Sequence, residues 1–393
     1  MIRKSLIEFI FEAGSIERWN DHIRPLRGFT ELDKQSHKMV CAYVMGKLAK
    51  ECDMRRLCEG SIFEFLHRLV LTDIKPPIFH RLMEEKGEQI NDWVISSLDE
   101  HLSSVNGGFF ERFIKYFKDT SYCAREKEVL KCAHYLATKW EFDIIYNMNA
   151  SCYGIDKTRL EIDKKLESFS QFPCFSEFSH NENLKGFINL LGQLRFQQRW
   201  SKTPRLPATS VMGHMLFVAV LSYLCSCEIG CCDRRASNNF FGGLFHDMPE
   251  VLTRDIVSPV KRSVKGLDSL IKDIEDTQMR EVIYPLIPKE WVHEIEYFTE
   301  DEFSGKIQVS GKTEIVSSDY INENANSDSF NPIDGEIIRA CDIFGAYTET
   351  YFSHTSGVTS HTLRNANIEI YETYKNKSVG GINFGILFDY FKI

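Results

Sequence analysis

The chain carries no excess of basic residues: 47 Lys and Arg stand against 56 Asp and Glu, a formal charge of −9. That balance argues against a nucleic acid polymer as the main partner and leaves room only for a local basic pocket. No low-complexity segment is present. The longest apolar stretch, "VMGHMLFVAVLSYLC", is too short for an easy membrane span and contains His214. The short apolar run from Met1 to Phe11 has no small-residue cleavage site after it. The twelve cysteines are scattered rather than set in a short secreted framework. Four of them, Cys225, Cys227, Cys231 and Cys232 in "CSCEIGCC", match no common zinc spacing and read as packed thiols. Together these absences predict a cytoplasmic protein with reduced thiols and no membrane association.

What is present is core material and helical periodicity. The 393 residues are 43% hydrophobic and include 29 Phe, enough for two or three domains. Segments such as "SHKMVCAYVMGKLAKEC", "REKEVLKCAHYLATKW" and "HMLFVAVLSYLCSCEI" space apolar residues at three and four, the period of amphipathic helices. The expected fold class is all-α. The exception is "GKIQVSGKTEIV", from Gly305 to Val316, where two alternating runs flank Ser310-Gly311 as in a β-hairpin. The polar stretch "INENANSDSFNPIDG" reads as an exposed loop.

Three matches recur in the same order in the two halves. "SIERWNDHIRPLRGFTELDKQSHKM" resembles "RFQQRWSKTPRLPATSVMGHML"; each has Arg-Trp and then a His opening an apolar helix. "FLHRLVLTDIKPPIF" resembles "LFHDMPEVLTRDIVSPV", and "LKCAHYLATKW" parallels "IRACDIFGAYTE". One match is within chance; three in order predict a duplication. The halves are placed at 1–150 and 184–393, joined by a connecting segment at 151–183 of weaker periodicity. The second half is expected to contain the hairpin insertion at about 299–335 and a C-terminal helix.

In the second half His214, His246, Asp247 and Asp342 are the candidate metal ligands. His246 and Asp247 are read as sharing one helix, His214 as opening another, and Asp342 as lying in a third, "EIIRACDIFGAYTETYF". Taken singly, a His or a His-Asp pair on a helix says little. Asp342 between Cys341 and Ile343 is more telling, because a buried unpaired Asp is rare. Helical bundles gather such positions in their cores, and two imidazoles with two carboxylates suit a borderline divalent ion.

These residues resemble the HD-domain phosphohydrolases, most closely the branch that includes the bacterial 5′-deoxynucleotidases. The likeness runs from about Leu190 to Tyr351, and its most specific part is the run from His246 to Lys261. It implies two HD-domain-like helical halves and one divalent metal (Mn, Co, Fe, Zn or Mg) on His214, His246, Asp247 and Asp342. It implies Glu250 as a general acid or base, with Asp247 also in the catalytic set. By the same likeness Arg199 holds the phosphate, Trp200 packs on the sugar, Asp255 meets the 3′-hydroxyl, and Lys261 adds positive charge. The implied reaction is release of phosphate from nucleoside or deoxynucleoside 5′-monophosphates. The alternatives are hydrolysis of a nucleoside triphosphate or cyclic nucleotide, and a non-catalytic nucleotide-binding regulator. Two departures stand out. Pro249 cannot donate to the carbonyl of Phe245, so the helix must kink or end there. The insertion before Asp342 is positioned to cap the site.

The first half keeps Arg18, Trp19, His37, His67 and Asp73, but Arg68 stands where the pattern wants Asp247 and His134 where it wants Asp342. A cationic Arg in a ligand sphere repels a divalent metal. This half therefore reads as a degenerate copy, a helical scaffold, with a nucleotide-binding regulatory site as the alternative. The homodimers formed by the related deoxynucleotidases imply that the two halves pack as an intramolecular pseudo-dimer.

Overall fold

The computed structural model describes residues 1–19, 28–72, 74–254, 256 and 264–393. Helices dominate, and the sheets among the described residues have only two or three strands, as the all-α reading expects. Two sets of three helices form the centre. One consists of Glu31–Leu48, Met54–Leu71 and Ala124–Asn149; the other of Val211–Glu228, Asp233–Phe245 and Gly335–Thr355. In each set the first helix packs on the other two, and the two first helices pack on each other. One continuous apolar core results, reaching from Ile2 to Phe391.

Both first helices begin in the same way. An antiparallel bridge, Glu17 to Thr30 or Gln198 to Ser210, brings the chain to the cap residue. Thr30 accepts from the Asp33 amide, and the Asp33 carboxylate accepts from the Thr30 amide, a reciprocal cap. Ser210 accepts from the Gly213 amide at 2.9 Å, and its hydroxyl donates to Asp33, tying the two caps together. Within each preceding loop a tryptophan takes a left-handed backbone, Trp19 with φ 62° and Trp200 with φ 56°. That region is costly for a bulky side chain, so the surroundings must hold it there.

Helix Val211–Glu228 has the length and apolar composition of a membrane span, but nearly all of it is buried within the fold. It is a core helix, apolar all round because neighbours cover every face. Gly243 lets helix Asp233–Phe245 come close to it. A Cβ on Gly243 would lie 2.9 Å from the Ala219 Cα and 3.0 Å from its nitrogen, and backbone cannot yield. This contact sets where the chain leaves the helix toward His246.

The segment 151–183 is itself largely helical, with Ile155–Glu167 and Pro173–Ser179. Its periodicity is weak because the first of these buries only Ile155 and Ile162. The hairpin forms as expected. Strand β1 (Gly305–Val309) pairs with β2 (Lys312–Val316), and Ser310 and Gly311 make the two-residue turn with φ 50° and 78°. The stretch after it differs from the exposed loop predicted. Ile321, Ala325, Ile333 and Asp334 are buried, and Ile333–Asp334 forms β3 on the other edge of β1. The polar composition conceals a buried ion pair: Asp334 accepts from Arg235 at 2.5 Å, both side chains fully buried, and caps helix Gly335–Thr355.

Removing one member of such a pair leaves a buried charge. Asp334→Ala should lower unfolding free energy by about 3 kcal/mol or more in urea titrations. A loss below about 1 kcal/mol, the range of a surface ion pair, would contradict this role.

Candidate metal centre

His214 lies in the first turn of helix Val211–Glu228, and its Nε2 is 2.9 Å from Asp342 Oδ1 on helix Gly335–Thr355. Gly345 makes this approach possible. A Cβ there would sit 2.9 Å from His214 Cε1 and 3.0 Å from Nδ1.

His246 and Asp247 do not share the helix. It ends at Phe245, and the chain turns through Met248 and Pro249 before a short helix, Glu250–Thr253. The break expected at Pro249 is thus realised, because its ring nitrogen has no proton with which to continue the ladder. The turn aims His246 inward. Its Nδ1–H donates to the Gly243 carbonyl at 2.8 Å, which turns Nε2 toward the acids. Nε2 lies 3.1 Å from Asp247 Oδ2 and 4.0 Å from Asp342 Oδ1. Ligand atoms from His214, His246 and Asp342 all lie within 4.8 Å of one another. Asp247 adjoins this set without being a member of it.

The residues fit a divalent cation. His246 Nε2 is buried and makes no aligned hydrogen bond, while its other nitrogen is tied to a carbonyl, the usual arrangement of a ligating imidazole. Electrostatics agree. Burial opposes a charged His246, but Asp247 and Asp342 outweigh it and push the imidazole up to about 9. Burial opposes charge on Asp247 as well, and His246 more than offsets that, holding the carboxyl below its ordinary range. The cluster attracts positive charge.

An outer layer surrounds it. Glu349, two turns after Asp342, accepts from Trp200 Nε1 at 2.8 Å and from the Thr209 hydroxyl. Arg199 lies 3.4 Å and Arg205 3.6 Å from the same carboxylate. Burial would raise the Glu349 carboxyl; Arg205 and Arg199 instead bring it to about 2. Arg199 also reaches to 3.7 Å from Asp247 Oδ2, which joins this layer to the cluster. Glu349, Thr209 and Arg205 are absent from the sequence-based candidates. The available signal was spacing, since residues seven apart share a helix face. Glu250 is buried at the start of its short helix, and its carbonyl accepts from Gln197 at 3.0 Å. Asp255 and Lys261 lie outside the described residues. From the insertion, the Phe303 ring comes within 6.1 Å of the His246 ring.

The first half builds the same outer layer around different contents. Arg18 and Trp19 Nε1 donate to Glu141 at 3.0 and 2.9 Å. The histidines disperse, however. His37 bonds the Ile188 carbonyl at 2.8 Å, and His67 bonds Asn91 at 3.0 Å and stacks on Phe117. Lys34, not His37, stands four residues after the helix cap as His214 does, and its ammonium donates to His134. Asp73 lies outside the described residues.

Residues 191–371 match a family model described as HD domain. No curated protein and no solved structure matches the chain. HD domains are in general metal-dependent phosphohydrolases, and the His214, His246, Asp342 cluster falls within the matched segment. Gly345→Ala should displace the His214 ring and weaken divalent-metal affinity by roughly 10–100-fold, the usual effect of disturbing a ligand's support. Titration calorimetry with Mn²⁺ measures it; unchanged affinity would show that His214 is not a ligand.

Proposed function

We propose, from the premise that residues 191–371 form an HD domain, that the chain releases phosphate from nucleoside or deoxynucleoside 5′-monophosphates. The observation that supports this substrate class is the pairing of Arg199 with Trp200 beside the cluster. One residue bears a fixed guanidinium and the next a fixed indole, both positioned by Glu349. A phosphate joined to a nucleoside presents the complementary pair of features, an anion and an adjacent flat or ring-shaped group.

His214, His246 and Asp342 would hold one divalent ion, with Asp247 adjoining. When bound, such an ion supplies activation of water and polarisation of a phosphoryl oxygen. The chain's own residues do the rest. Arg199 offsets charge on the phosphoryl oxygens, and the guanidinium stays charged throughout. Glu349 holds Arg199 and the Trp200 indole in place, so neither must be ordered when substrate arrives. Glu250 protonates the leaving 5′-oxygen. Asp255 and Lys261 complete the sugar and phosphate contacts. The two halves pack as an intramolecular pseudo-dimer, and only the second carries the chemistry.

A second reading, hydrolysis of a nucleoside triphosphate or cyclic nucleotide, draws on Phe303. The insertion brings this ring beside His246 and so alters the space above the cluster.

Purified protein should release phosphate from deoxynucleoside 5′-monophosphates only with a divalent metal present. Asp247→Ala should abolish release, and His67→Ala should barely change it. A panel of mono- and triphosphates, ribo and deoxy, ranks the substrates. Equal loss in both variants, or release confined to triphosphates, would overturn the monophosphatase with a single active half.

A further inference from the structure

The first half replaces a cation-seeking cluster with buried cations. Its correspondence to the second half is set by structure. Thr30 and Ser210 cap the first helices, and Glu141 and Glu349 hold the two tryptophans. Counting from these anchors, Lys34 stands where His214 does and His134 where Asp342 does. A histidine has become a lysine and an aspartate has become a histidine. In sequence order Arg68 follows His67 as Asp247 follows His246, and its charge acts on both Glu31 and His134. Glu31, which pairs with Arg18 at 2.8 Å, returns one negative charge in the place of Val211. Even so, the change across these positions runs toward positive.

Lys34 and Lys38 are both buried. Lys38 pairs with Glu64, but the described hydrogen bond of Lys34 goes to His134, a group with no negative charge. Among the described residues the facing charges are Arg18, Lys38 and Arg68 on one side and Glu31 and Glu141 on the other. Burial, then Arg18 and Lys38 on the positive side, hold Lys34 well below the usual ammonium range. Burial and the same cations do likewise to His134. Burial thus disfavours the ammonium form of Lys34, and a bound anion would restore it by offsetting its charge. Trp19, Arg18, Arg68 and His134 are only partly buried, so the cluster is reachable from solvent. The Trp19 indole stands beside the Arg18 guanidinium, 5.8 Å from ring centroid to carbon, and makes an aromatic wall.

We propose that residues of the first half, Arg18, Lys34 and His134 beside Trp19, form a second site that binds a phosphate dianion without hydrolysing it. Guanidinium and ammonium donors suit phosphate oxygens. With lysine and histidine in the places of His214 and Asp342, no metal-ligand cluster forms here among the described residues, so the site binds and does not cleave. The proposal stands whether or not the second half hydrolyses nucleotides.

The test uses the full chain treated with chelator, titrated calorimetrically with inorganic phosphate and, separately, with deoxyadenosine 5′-monophosphate. Measured in an Arg199→Met background, which removes the guanidinium proposed to hold phosphate in the second half, Lys34→Met should lose at least about tenfold in phosphate affinity, one charge-assisted bond. Lys34→Met is close in shape and removes a buried charge; if it fails to fold, Arg18→Met carries the test with the same expected loss. Tighter binding of the monoester than of phosphate supports a nucleotide ligand lying on Trp19. Equal binding supports free phosphate. Failure of wild type to bind either probe, or undiminished binding in Lys34→Met, overturns the site.

Discussion

A buried carboxylate has to be satisfied, and in this protein Glu349 is satisfied by the residues that build the outer layer of the candidate metal centre. Trp200 and Thr209 donate to it, and Arg199 and Arg205 offset its charge. The four come from the loop that precedes helix Val211–Glu228, so one side chain fastens that loop to helix Gly335–Thr355. The left-handed backbone at Trp200 follows from the same requirement, because the indole must turn back to reach the carboxylate. Were Glu349 removed, Arg205 would remain as a buried guanidinium facing no acid among these contacts. The arrangement is interdependent, and this accounts for the fixed placement of Arg199 against Asp247.

Glu141 imposes a similar constraint on the first half: it holds Arg18 and Trp19, and also Arg195 from the second half. The outer layers match while the inner positions differ. An imidazole and a carboxylate suit a cation; a lysine and an imidazole do not. The candidate metal centre and the proposed first-half site thus take ligands of opposite sign. The scaffold supplies position, and a few side chains decide the chemistry.

Much of the helical core is legible in the sequence, and so are His214, His246 and Asp342, which the structure gathers into the candidate cluster. His246 is marked by its adjacent acid on an apolar segment, and Asp342 by its apolar neighbours. Glu349 is not, because a Glu on a helix is ordinarily a solvated residue, and its seven-residue spacing from Asp342 marks a shared face but not burial. Lys34 escapes notice for a related reason. "SHKM" offers a His at the head of an apolar helix, and His37 looks like the counterpart of His214. The caps place the correspondence three residues earlier, at Lys34, and caps are seen only once the bridge to Thr30 is formed. The stretch 321–335 departs from its expected exposure because a polar run reads as loop, whereas Asp334 is buried against Arg235, distant in sequence.

By itself the sequence determined the helical class, the hairpin turn at Ser310-Gly311, the helix end before Pro249 and the chemical types of the candidate ligands. Each of these depends on local periodicity, backbone freedom or donor chemistry. Tertiary structure alone decided which acids face which cations. It brought Glu349 to Trp200, Asp334 to Arg235, and Lys34 to His134. These pairings join residues from about a hundred to a hundred and fifty positions apart. The physical reason is that a charge's cost or benefit is set by burial and by its neighbours in space, and neither quantity is carried by the order of residues along the chain.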